Sequence, residues 1–179
     1  MPEQNNIFQQ ARSYSIQYGL YVSLYWIASF LCLMYAMKFP FLSIVSQIAA
    51  FMSLFAAIKY VSEYCSRIQP LNFLQKILFS LNICTFASLI TTIVQYFYFR
   101  YIDKGAIFHT MAESLSDPSF KELFEKQMPG FAIEDILEIL SKTTYLEFAI
   151  QFLIANTFIA FIFTLIMALF SRNKNNQHT

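Results

Sequence analysis

The chain has 179 residues, of which 57% are hydrophobic, 18% are aromatic and 13% are charged, and its formal net charge is +1. Soluble domains carry about 25% charged residues, so these few charges do not cover that much apolar surface in water. A net charge near zero also excludes the extended basic face of an electrostatic nucleic-acid binder. The composition therefore predicts an integral membrane protein.

Four apolar segments are long enough to span a bilayer, which takes about 20 helical residues. They cover residues 18–37, 41–60, 77–98 and 148–170. The first twenty residues lack the charged start, short apolar core and cleavage site of a secretory signal. Apolar side chains recur at Ile7, Ala11, Tyr14 and Tyr18, which predicts that the first helix begins early, in the membrane interface.

The connections between the first three spans are short. The three residues "KFP" join the first two, which predicts an antiparallel hairpin with Pro40 at the start of the second helix. Pro70 separates the second span from the third, and Asn72 is the predicted N-cap of the third.

The sizeable polar segment, residues 103–147, is predicted to be a loop of two short amphipathic helices. In the first helix Asp117 is the N-cap and Pro118 the first helical residue, and Pro129 with Gly130 ends it. Its apolar face is Phe120, Leu123 and Phe124. The apolar face of the second helix is Ile133, Ile136, Leu137 and Leu140, opposite Glu134, Asp135 and Glu138. We expect these helices to cap the bundle or to lie on the membrane surface.

Basic residues predict the orientation, because short cytoplasmic loops are enriched in Lys and Arg. One side of the membrane carries Arg12, Lys59, Arg67, Lys76, Arg172 and Lys174. The other side carries Lys38 and the acidic loop. Both termini are therefore expected in the cytoplasm, with the loop outside.

An aromatic string, "YFYFRY", ends the third span. Aromatic rings interleaved with Arg also bind single-stranded nucleic acid, but the basic charge that such binding needs is missing here. Tyr96, Tyr98, Arg100 and Tyr101 are instead predicted to form an interface belt at the headgroup level.

The residues "QPLNFLQKILFSLNICTFASLITTIVQYFYFRYID" resemble the third-span region of a bacterial family catalogued as domain of unknown function 4199. "FKELFEKQMPGFAIEDILEIL", the last span and the basic tail "SRNKNN" are similar to its acidic helical loop and final helix. The family usually has Pro after the Ile-Asp, where this chain has Lys104. The resemblance implies four spans and an inner-membrane location, and it implies no activity.

No catalytic constellation stands out in the chain. The four predicted spans contain no Asp, Glu or His, and His109 and His178 have no metal-ligand spacing to any other residue. Cys32, Cys65 and Cys84 are in no paired spacing and are predicted to be free thiols. We therefore expect neither enzymatic activity nor a cofactor or metal. A proton-coupled transporter is also disfavoured, since it needs a titratable group within the membrane.

The spans do contain residues typical of helix packing. A stripe of small residues follows the second span: Ser43, Ser46, Ala50, Ser53 and Ala57. Such a stripe lets helix backbones approach closely, either within this chain or against another membrane protein. Amides occur at membrane depth at Gln47, Asn82, Gln95 and Asn156. Each is expected to find a hydrogen-bonding partner, and such bonds average about 0.6 kcal/mol.

The sequence thus predicts an all-α, integral membrane four-helix bundle with an amphipathic helical extracytoplasmic loop between the third and fourth spans. The favoured function is that of a non-enzymatic accessory or scaffold subunit, with membrane lipid and another membrane protein as partners and no nucleic acid. The first alternative is a small transporter or lipid-handling protein with a polar path lined by Asn82, Gln95 and Asn156. The second is an enzyme that uses the acidic loop.

Overall fold

The computed structural model describes residues 2–36, 38–68, 70–127 and 132–171, and these residues form helices joined by short connections, with no strand among them. The helices are α1 (Pro2–Tyr35), α2 (Phe41–Arg67), α3 (Phe73–Phe97), α4 (Ala106–Ser116), α5 (Pro118–Gln127), α6 (Ile133–Lys142) and α7 (Tyr145–Phe170). A π-helical segment, Tyr98–Asp103, continues α3. The all-α prediction is confirmed.

Four helical stretches are long and apolar enough to cross a membrane: Gln10–Tyr35, Phe41–Arg67, Phe73–Asp103 and Tyr145–Phe170. Their number and order confirm the predicted multi-pass chain. Each begins or ends beyond its predicted bounds, because hydropathy marks only the apolar part of a helix that continues into the polar interface. The second, third and fourth stretches thereby include Glu63, Asp103 and Glu147 near their ends. Met37, the predicted end of the first span, is outside the described residues.

The chain divides into two compact units. The first comprises Met1–Thr92 and Phe152–Thr179, and it contains α1, α2, most of α3 and most of α7. Its core takes at least one fully buried side chain from each of these helices: Val22, Val61, Ile83 and Met167. Tyr18 stacks on Tyr60, and Tyr14 packs edge-on against Tyr64. The later tyrosine of α1 thus contacts the earlier tyrosine of α2, so the two helices run antiparallel and the predicted hairpin is confirmed.

The third helix begins where the sequence placed it. Asn72 precedes the first residue of α3, and its backbone N–H donates to Oε1 of Gln75 at 2.9 Å. This is one half of a capping box, in which the side chain of the third helical residue returns to the N-cap backbone.

The second unit, Ile93–Gln151, is built around a small aromatic core. Phe99 is fully buried, and its ring packs against Phe148, which also contacts Phe108 of α4. The turn into α4 uses two left-handed residues, Lys104 and Gly105. The described residues between the third and fourth spans therefore form three helices, α4, α5 and α6, rather than the two that were predicted.

The predicted start of α5 is confirmed. Pro118 is its first residue, and Oδ1 of Asp117 accepts from the backbone N–H of Ser119 at 2.8 Å and from its hydroxyl at 2.6 Å. These two hydrogen bonds hold the pKa of Asp117 below its usual range. Lys121 of α5 forms an ion pair with Glu134 of α6, which lowers the pKa of that carboxyl. The Pro129–Gly130 stop and the Leu123 side chain are outside the described residues.

Candidate functional surfaces of the spans

The small-residue stripe of α2 faces α1. Ser46, Ser53 and Ala57 are buried, while Ser43 and Ala50 are partly exposed. This placement favours packing within the chain, the first of the two roles considered for the stripe.

Hydrogen bonds across this contact explain its register. The hydroxyl of Ser29 donates to the carbonyl oxygen of Ser46 at 2.9 Å, one helical turn from Trp26 on α1. The indole N–H of Trp26 donates to Oγ of Ser53 at 3.1 Å, and that hydroxyl donates to the carbonyl of Ala50. Such a contact needs small side chains on one helix, since a larger one would separate the two backbones.

The four amides do not share one environment. The side chains of Gln47 and Asn82 are exposed on the outside of the first unit, and neither amide forms a hydrogen bond within the described part of the chain. Asn156 is partly buried in the same unit, and Gln95 is buried in the second unit. The described structure therefore places Asn82 outside, and not in a path through the interior.

The third helix has two contrasting faces within the first unit. Its outer face presents Leu78, Asn82, Thr85 and Leu89, all exposed. Its inner face presents Ser80, Cys84, Ser88 and Thr91, all buried. Successive residues on each face are three or four positions apart, a spacing that keeps side chains on one side of a helix. One helix thus separates an apolar surface with a single amide from a buried surface of small and polar side chains.

Hydroxyl groups of the inner face lack partners. The oxygens of Ser80, Ser88, Thr91 and the neighbouring Thr92 are buried and accept or donate no hydrogen bond in the described chain. Buried polar groups are nearly always paired, so an unpaired one is a cost that calls for an explanation. These four hydroxyl residues were not predicted as a group from the sequence. The sequence feature that marks them is the recurrence of Ser and Thr at helical spacing in a span, which is also typical of ordinary helix packing.

Two other helices, α1 and α7, come close to α3. A Cβ added at Gly19 of α1 would stand 2.8 Å from Cβ of Phe86 and 2.9 Å from the carbonyl oxygen of Ile83. On another side, the Cys84 thiol contacts Sδ of Met167 on α7 at 4.0 Å. The missing side chain of Gly19 thus allows α1 to approach α3, and Cys84 is a point of contact between α3 and α7.

Lys76, one of the basic residues on the predicted cytoplasmic side, has a specific partner at the end of α7. It is 8% exposed, and its Nζ donates to the carbonyl oxygen of Ser171 at 2.7 Å. Ser171 directly follows α7, where unpaired carbonyls and the helix dipole favour a cation. Lys76 thereby ties the start of α3 to the end of α7.

The aromatic string at the end of the third span is divided between two environments. Arg100 lies between the rings of Tyr96 and Tyr101, 5.8 and 5.5 Å from their centroids, and it donates to the hydroxyl of Tyr96. Arg100 and Tyr101 are exposed, whereas Tyr98 is buried and packs edge-on against Phe99. Three members of the predicted belt are thus at least partly accessible, and Tyr98 is part of the core of the second unit.

Residues that hold metals or perform acid–base chemistry are scattered. No group of three or more His, Cys, Asp or Glu side chains comes together among the described residues. Cys32, Cys65 and Cys84 are free thiols. His109 has Glu113 of its own helix as an exposed neighbour at 3.4 Å. The carboxylate Glu63 pairs with Arg67 at 2.9 Å, at the end of α2.

Residues 17–173 match the model of a family described as "Protein of unknown function (DUF4199)". No curated protein and no solved structure matches the chain significantly.

Proposed function

The chain belongs to the DUF4199 family of proteins of unknown function, and from that premise we propose that it acts without chemistry of its own, as an accessory or scaffold subunit that binds another membrane protein. The observation that carries the proposal is the outer face of α3, where Asn82 presents an amide with no partner in the described chain. The partner would lie along this face.

The environment of Asn82 gives the physical reason. Leu78, one turn before it, is 54% exposed, and Leu89, two turns after it, is 45% exposed. In a bilayer these side chains face hydrocarbon, which offers no hydrogen bond to an amide. A neighbouring transmembrane helix can supply a donor and an acceptor at the same depth, and amides at such contacts join helices in membranes.

Gln47 supports the proposal from a second helix. Its exposed amide is flanked on α2 by Ile44 and Phe51, which are 64% and 66% exposed. A partner that contacts α2 would find an amide there as well. The α2 stripe is covered by α1, so the proposed contact uses the outward faces of α2 and α3 and not the stripe.

We further propose the bacterial inner membrane as the location, with both termini in the cytoplasm. Arg12, Lys59 and Arg67 support this orientation, because each is exposed near the same end of the first unit's helices. Short loops on the cytoplasmic side of a membrane are enriched in Lys and Arg.

Site-specific photo-cross-linking in native membranes tests the proposed contact. A photoreactive residue is placed at Leu78 or Leu89, on the face of Asn82, and at Ile154, which is 65% exposed on α7, as the matched control. We expect one protein product of defined mass from positions 78 and 89, none at that mass from position 154, and loss of the product when Asn82→Leu is added. Identical products from all three positions, or a product that Asn82→Leu leaves unchanged, would contradict the proposal.

A second function, a small transporter or a lipid-handling protein, is favoured by a different observation. Buried polar side chains line the inner face of α3, with the hydroxyls of Ser80, Ser88 and Thr91 unpaired. In this alternative the polar lining would consist of hydroxyls rather than of the amides that the sequence suggested. Purified protein in vesicles that accelerates the flux of a small polar solute would favour it over the subunit role.

A further inference from the structure

Three unpaired hydroxyls follow one another within about one turn of the third helix. Thr91 and Thr92 come three and four residues after Ser88, so each is a neighbour of Ser88 on the helix surface, with Cβ atoms about 5–6 Å apart. Thr91 and Thr92 are consecutive, and their side chains lie on either side of the Ser88 position. The side chains of Ser88 and Thr91 are each 2% exposed, and the hydroxyl oxygen of Thr92 is also buried. We call these three residues the hydroxyl cluster.

Other hydroxyls in the same chain donate hydrogen bonds to backbone carbonyls of their own helix, which the hydroxyls of the cluster do not. Thr85, on the outer face of α3, donates to the carbonyl of Leu81 at 2.8 Å, and Thr157 of α7 donates to that of Leu153 at 2.7 Å. Burial alone does not prevent this bond, since the fully buried Thr164 donates to the carbonyl of Phe161 at 2.7 Å. A Ser or Thr in these helices can therefore use its own backbone, and the cluster keeps three hydroxyls available for another partner.

We propose that the hydroxyl cluster is a hydration site within the third span, and that its ligand is water. Each hydroxyl can both donate and accept, and a buried water is held by two to four such groups. The inner face from Ser80 to Thr92 carries no Asp, Glu, His, Lys or Arg. An ion would therefore have no counter-charge there, and a charge buried without one is strongly disfavoured.

This inference does not depend on the proposed partner at Asn82, which lies on the opposite face of α3. It extends the alternative function, because bound water in the interior of a span provides the polar surroundings that a small uncharged solute requires. Ser80 is about two turns before Ser88 on the inner face, and its buried hydroxyl is also unpaired. It continues the polar surface along that face.

Water-edited solid-state NMR on the full chain in lipid bilayers tests the site directly. The experiment measures how quickly proton magnetisation passes from mobile water to each assigned Thr side chain. Thr85 is the control, because it is matched to Thr91 in its depth within the third span. Thr85 is twelve residues from Phe73, one end of the span, and Thr91 is twelve residues from Asp103, the other end. We expect Thr91 and Thr92 to receive magnetisation several-fold faster than Thr85. Equal or slower transfer to Thr91 and Thr92 would overturn the hydration site.

A second measurement uses the sign of a stability change. Thr91→Val with Thr92→Val removes two hydroxyls while the side-chain volume is nearly kept, and Thr85→Val is the control on the outer face. If water bridges the cluster, the double variant loses those hydrogen bonds and should unfold at a lower detergent concentration than Thr85→Val. If the cluster is dry, the variant loses only unpaired groups and should be as resistant as wild type or more so. The second result would overturn the proposal.

Discussion

Gly19 of α1 lies close to α3, and a substitution there has two opposing effects. Replacing glycine by alanine in a helix gains about 1 kcal/mol in intrinsic preference. The new Cβ would stand 2.8 Å from Cβ of Phe86 and 2.9 Å from the carbonyl oxygen of Ile83. Neither atom is the far end of a flexible side chain, so the helices themselves would have to separate.

Overpacking usually costs about 1–3 kcal/mol. Because it outweighs the gain in helix preference, we expect Gly19→Ala to lower the free energy of unfolding, by up to about 2 kcal/mol. Detergent titration of the purified protein measures the change. Ala28→Leu on the exposed side of α1 is the control and should have little effect, although it adds a larger group. A Gly19→Ala variant that is more stable than wild type, by about the 1 kcal/mol of the intrinsic helix preference, would show that the close approach does not exist.

Asp117 gives a residue-scale prediction about pH. The Ser119 hydroxyl and the backbone N–H groups of Ser119 and Phe120 lower the pKa of Asp117 in the folded protein. Its unfolded pKa is about 4, so the cap contributes fully above that pH and is lost as the pH falls through the lower, folded value. The backbone chemical shifts of α5 should therefore lose helical character below about pH 4.

Two variants separate this effect from general acid unfolding. Ser119→Ala removes one hydrogen bond to the carboxylate, so the loss of α5 should begin at a higher pH. Asp117→Asn cannot titrate, so the step assigned to the cap should disappear. An unchanged titration in both variants would mean that another group controls α5.

At the scale of elements, adjacent residues of α2 give a matched pair. Ser46 is buried against Ser29 of α1, whereas Gln47 is exposed. Ser46→Leu should destabilise the isolated protein by about 1–3 kcal/mol, because it overpacks the α1–α2 contact and removes a hydrogen bond. Gln47→Leu places the same side chain toward lipid and should leave stability unchanged or slightly higher. Equal losses in both variants would contradict the assigned faces of α2.

The elements also show how far the sequence predicts this fold. The four spans and the caps at Asn72 and Asp117 were predictable, because hydropathy and N-cap chemistry are local properties. Helix α4 was missed because its start has no side-chain cap directly before it. The turn instead uses left-handed Lys104 and Gly105, and Oδ2 of Asp103 accepts from the N–H of Ile107 at 3.1 Å.

The candidate surfaces were less predictable than the spans. A period of 3.6 residues tells which side chains share a face, but not which face meets another helix. Asn82 and Ser80 are two residues apart in an apolar run, and only the positions of α1, α2 and α7 make one exposed and the other buried. The division of α3 into an outer and an inner face is therefore a property of tertiary packing.

At the scale of the whole molecule, the orientation in the membrane is testable with two exposed serines. Ser66 is near the end of α2, and Ser116 is the last residue of α4. In a variant without native cysteines, Ser66→Cys should resist an impermeant thiol reagent in intact spheroplasts, and Ser116→Cys should react. Both should react after the membrane is opened. Reaction of Ser66→Cys with protection of Ser116→Cys would invert the orientation.

The central claim is that α3 directs the Asn82 face outward and the hydroxyl face inward. A nitroxide scan of residues 78–91 in bilayers, read by collision with dissolved oxygen, tests it most directly, since oxygen concentrates in hydrocarbon. The account predicts high accessibility at positions 78, 82, 85 and 89 and low accessibility at positions 80, 84, 88 and 91. Uniform accessibility, or maxima at positions 80, 84, 88 and 91, would contradict it.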